Sequence, residues 1–105
     1  WLGLNSTSQS ITGDGSTSSA VEITSAVTEV DATAGDAPVT LADGANGQIK
    51  TIINVSTGGT NNVNIVPSNL RGGTTITLNA PGETVTCMFK NSNWNIIAGH
   101  DYAVS

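Results

Sequence analysis

Chemistry at a protein site needs convergent titratable groups, and this chain offers few candidates. His100 is the only histidine, and the run His100-Asp101-Tyr102 has the composition of a general base beside an orienting carboxylate. Residues adjacent on a strand point to opposite faces, so the run reads as an exposed tail rather than a dyad. Cys87 is the only cysteine, which leaves no intrachain disulfide framework and no thiolate zinc site. It shares an alternating face with Val85 and Phe89, where a thiol is a small, inert core residue. The carboxylates lack calcium-loop spacing, and Asp14 in Gly13-Asp14-Gly15 and Asp43 before Gly44 read as turn formers. Gly58-Gly59 and Gly72-Gly73 lack the strand-to-helix setting of a phosphate loop. No catalytic residue, cofactor or metal is therefore expected.

Composition narrows the function further. At 105 residues the chain makes one domain with one modest core. Aromatic content is 4%, so that core must come from Ile, Val, Leu and Thr methyls. Such a core is thin for a lone monomer, and burial against further copies of the chain is expected to supplement it. Formal net charge is −5, and the three basic side chains, Lys50, Arg71 and Lys90, are too few to neutralise a run of phosphates. Nucleic acid is thus not an expected partner. Nor is a membrane, since no apolar run approaches the roughly 18 residues of a span.

The elements that must position these residues read as strands. Residues 1–20 are dominated by Ser, Thr and Gly and are expected to form an extended N-terminal arm, with the β domain occupying 21–105. Trp1, Leu2 and Leu4 at the tip of that arm are candidates for docking into a groove on a partner; a short edge strand is the plainer alternative. Residues 21–31 alternate as a first strand or strand pair, and 32–38 read as a loop ending at Pro38. Residues 48–55 form the longest strand candidate, with Ile49, Thr51, Ile53 and Val55 on one face and Lys50, Ile52 and Asn54 on the other. Both faces carry apolar material, which suits a sandwich or a subunit interface. Ile52 and Val66 are accordingly candidates for contact between copies.

Further strands are expected over 62–67, 74–78, 83–90 and 94–98, the last two joined by a tight turn at 91–93. Val85, Cys87 and Phe89 should meet Trp94 and Ile96 across that hairpin. Spacing of about 8 to 12 residues is the rhythm of an all-β fold, a small antiparallel β-sandwich or barrel.

Within residues 38–99, the phrases DGANGQIKTI, PSNLRGG, ITLNAPGETVTCMF and NWNIIAG occur in an order that resembles a β module of tailed-phage virion structural proteins. That module places an Asp-Gly turn, a Gln-Ile-Lys strand, an Asn-Leu loop and a Trp hairpin in the same succession. The resemblance covers the C-terminal two thirds of the chain. It implies a non-enzymatic part of a virion: a head decoration or cement protein, a head fibre, or a distal tail-fibre domain. The leading expectation is a capsid decoration protein on the particle exterior, a homotrimer bound to the major capsid protein or another virion protein. The alternative is a fibre module that recognises a cell-surface glycan through loops 56–62 and 91–93. Such a site needs an exposed aromatic, for which Trp1, Trp94 and Tyr102 are the choices.

Overall fold

A computed structural model describes residues 8–105. The strands are β1 (Ser8–Thr12), β2 (Ser19–Val21), β3 (Val27–Asp31), β4 (Ala37–Leu41), β5 (Ile49–Asn54), β6 (Val63–Pro67), β7 (Ile76–Leu78), β8 (Thr84–Lys90), β9 (Asn93–His100) and β10 (Ala103–Val104). They form two five-stranded sheets, ordered β1-β3-β5-β8-β9 and β10-β7-β6-β4-β2. Through β6 the chain changes sheet at every turn, so β1, β3 and β5 are parallel neighbours, as are β2, β4 and β6. This first part is a flat coil of three turns. The rest reverses direction: β7 pairs antiparallel with β6, β8 with β5, β9 with β8, and β10 with β7.

The fold is thus all-β, a sandwich of two mixed sheets rather than the expected antiparallel one. Parallel neighbours need a crossover, usually a helix. Here each crossover is a strand of the opposite sheet, so the strand-turn rhythm of the sequence is the same as that of a row of hairpins.

Residues 8–20 also depart from expectation. They carry β1 and enter β2, and Ile11 is buried in the core, so the polar stretch is the first turn of the coil and not a continuing arm. Register explains why so polar a segment is ordered, since β1 runs beside β3 from Ser8 opposite Val27 to Thr12 opposite Asp31. Trp1, Leu2 and Leu4 lie outside the described residues.

Pro38, expected to end a loop, sits inside β4. Ala37 N–H donates to Asn62 and the Leu41 carbonyl accepts from Ser68, so alternation aims the Pro38 nitrogen away from β6. On that other side β2 starts only opposite Val39, and no ladder bond is lost.

The core fills the space between the sheets with alternate residues: Val30, Ile52 and Val85 from one, Val39, Ile65 and Leu78 from the other. Within β5 the buried face is Lys50, Ile52 and Asn54. Ile52 is 1% exposed, which removes it from any contact between copies. It stands in register between Thr28 and Val85, both buried, so its row is an interior row. The turns of the coil stack closely enough to demand glycine at one corner: a Cβ on Gly35 would lie 2.8 Å from the Gly15 nitrogen.

The free edge of β2 is closed by a side chain. Ser19 and Val21 face β4, which leaves the Ala20 carbonyl and the Glu22 N–H on the open side. Gln9 Nε2 donates to that carbonyl at 3.0 Å, and Gln9 Oε1 accepts from the Glu22 N–H at 2.8 Å. One carboxamide thus supplies the donor and the acceptor that a neighbouring strand would have supplied.

Candidate functional site

The hairpin β8–β9 forms as its residues predict. Phe89 lies opposite Trp94, their rings 5.3 Å apart and edge to face, and Val85 and Cys87 point into the same core. Trp94 is 0% exposed, and its Nε1–H donates to the Ala42 carbonyl at 2.9 Å. It is therefore closed to any sugar. The polar groups of loop 56–62 are engaged as well: Thr57 N–H donates to Thr33 Oγ1, and Asn61 Nδ2 donates to the Ala32 carbonyl. Asn93 Nδ2 donates to the Asn91 carbonyl across its own turn. The two loops offered for glycan recognition spend these groups on holding the coil and the hairpin.

His100 and Asp101 do come together, against the expectation from strand alternation. Asp101 has a φ of 55°, which breaks the alternation and brings its Oδ2 to 3.4 Å from His100 Nε2. Both side chains are exposed. Cys87 is buried, and burial pushes its thiol up to about 11, where the nucleophilic thiolate is scarce. Asp14 accepts from the Ser16 and Thr17 N–H groups, which hold its carboxyl down to about 2, the behaviour of a turn residue. Asp43 accepts from Asn69 Nδ2 and ties two loops together. Among the described residues no three His, Cys, Asp or Glu side chains gather as a metal site would require.

Two charged residues not marked in the sequence, Lys50 and Glu83, are buried. Lys50 is 1% exposed, its Nζ donates to the Ser25 carbonyl at 2.8 Å, and Ser25 Oγ donates to Glu22 Oε2 at 2.8 Å. Burial lowers the ammonium to about 8, while the charge of Glu22 pulls the other way. The signal was the alternation of β5, which places Lys50 on the face of Ile52 and Asn54 once that face is known to be internal. This amine ties β5 to the 22–26 loop.

No protein-family model matches the chain, and no curated protein matches it.

What the molecule does present is surface. The outer face of the first sheet carries Ile49, Thr51 and Ile53 on β5, with Thr84, Thr86 and Met88 beside them on β8. Val27 of β3 and Ala98 of β9 extend the same rows. Thr51 and Thr86 hydroxyls bond to each other at 3.0 Å, so part of the polar content of the face is spent internally. A bulge between Thr86 and Cys87 inserts Ile97 into β9 and leaves it 52% exposed. Val66, expected at a contact between copies, is 46% exposed on the outside of the second sheet, but it stands between Thr40 and Asn64 with no large apolar neighbour on that face.

Proposed function

We propose that this chain is a non-enzymatic structural protein of a virion: a decoration or cement protein that binds the outside of a phage head and assembles as a homotrimer. The observation that carries the reading is the outer face of the first sheet, where Ile49, Thr51, Ile53, Thr86 and Met88 make an uncharged apolar and hydroxylated field on a chain of net charge −5. A face of this kind on a small thin-cored domain serves contact with other proteins. The ordered succession of phrases across residues 38–99 supports a virion as the setting.

The contact between copies moves from the Ile52 face to this outer face, because Ile52 is internal. The glycan-binding reading loses its best platform with the burial of Trp94. Trp1, Leu2 and Leu4 stay as the proposed anchor to the major capsid protein or a neighbouring virion protein.

The test is co-sedimentation with shells assembled from the major capsid protein of the same genome. Saturable binding at a fixed ratio to capsid subunits is the expected outcome, and removal of residues 1–7 should abolish it. A chain left wholly in the supernatant, at concentrations where it is folded, would refute the reading.

A further inference from the structure

Resting on that reading, we infer that the outer face of the first sheet is closed by further copies of this chain around a three-fold axis, the Glu29 corner of one copy against the Lys90 corner of the next. Register places charge on this face in two corners only. Asp31 ends β3 and Glu29 lies midway along it, in the row of Ile53, Thr84 and His100, where the ladders of β5 and β9 with β8 end. Lys90 lies at the far end of β8, opposite Asn93. From the Glu29 row to Lys90 is the length of β8, roughly 20 Å along the strands, and two strand spacings, roughly 10 Å, across them. Opposite charges therefore occupy diagonal corners, with the uncharged field between them.

Lys90 is not alone in its corner. Arg71 Nε donates to Asn95 Oδ1 at 2.7 Å, and Asn95 Nδ2 donates to the Lys90 carbonyl. Because Lys50 is buried, Arg71 and Lys90 are the only exposed Lys or Arg side chains of the chain, and both residues are tied to Asn95, Arg71 through its guanidinium and Lys90 through its backbone carbonyl. A cyclic assembly needs this arrangement: its interface is heterologous, so one side of each copy must complement the other side of the next. With the strands inclined to the axis, the acidic corner of one copy comes level with the basic corner of its neighbour. The apolar field then lines the axis. A partner matched to only one corner would leave the other uncovered, whereas in a closed ring one neighbouring copy meets each corner.

The experiment is the solution mass by light scattering over a dilution series, for the wild-type chain, Glu29→Lys, Lys90→Glu and the double swap. Lys90 is exposed, Glu29 is half-buried and accepts from Ser10 Oγ at 3.3 Å, and circular dichroism verifies that each variant keeps its strands. Each single reversal is expected to raise the midpoint concentration for trimer dissociation on the order of tenfold or more, and the double swap to return it to near wild type. Glu29→Lys is the sharper arm: it reduces the net charge, so general repulsion predicts a tighter trimer and corner pairing a looser one. A wild-type monomer or dimer overturns the inference, as does a trimer indifferent to both reversals. A trimer that obeys the swap but ignores capsid shells keeps this inference and refutes the virion role; shell binding by an indifferent trimer does the reverse.

Discussion

At Lys50 the physical chemistry of one side chain reaches the stability of the whole fold. Its ammonium is lowered from the ordinary 10.5 to about 8, so below pH 8 the folded chain carries a buried charge that the unfolded chain hydrates. Between pH 8 and 10.5 the unfolded chain keeps a proton that the folded chain has released, and stability rises with pH. Cys87 opposes this at the upper end: its thiol is raised from 9.0 to about 11, so the unfolded chain loses that proton first and stability falls across that window. The unopposed interval is pH 8 to 9, where urea unfolding should show a gain of about 1 kcal/mol. Lys50→Met should flatten that gain, and Cys87→Ala should extend it toward pH 10.5. A curve already flat in the wild type would show that the amine is hydrated in the folded state.

Among the elements, Gln9 shows how a side chain substitutes for a strand. It also accepts from Thr28 Oγ1 at 3.0 Å, so its carboxamide joins the ladder of β2 to the interior of β3. Gln9→Leu removes all three bonds at once and should cost about 1–3 kcal/mol in urea unfolding. It should also increase aggregation on storage, because the edge of β2 becomes an open template. Loss of stability without aggregation would mean that the edge is protected by other means. Element identity was legible where alternation and turn residues agree, as in β8 and β9, whose Val85, Cys87, Phe89 and Trp94 are all buried. It was not legible where apolar content points to the wrong face: around β5 the sequence offers Ile49, Ile53 and Val55 on one side and only Ile52 on the other, yet the register with buried Thr28 and Val85 puts the Ile52 side inside. Polar β1 was read as arm because propensity holds no record of its parallel partner β3. Pairing direction escaped for the same reason, since a strand that crosses between sheets leaves the same punctuation as a hairpin.

For the whole molecule, the distribution of apolar surface matters more than its amount. In the proposed assembly, the net charge of −5 keeps copies apart in general, while the uncharged field on the first sheet gives them one place to meet. Of the groups singled out for their chemistry, Asp14 caps a turn, Cys87 is in the core, and His100 and Asp101 lie side by side on the surface. Ile52 and Val66 were the residues expected at a contact between copies, and Ile52 was misplaced because Ile52 and Ile53 look alike in sequence and differ only in which side of β5 faces the second sheet. The most direct test of this account is thiol labelling of Ile49→Cys and Val66→Cys in the assembled protein, with buried Cys87 silent in both. Ile49 and Val66 are 40% and 46% exposed in the single chain, so nothing in the fold itself separates their reactivity. The account predicts that the thiol at position 49 is protected in the assembly and the one at 66 labels freely. Equal labelling at both positions would contradict it.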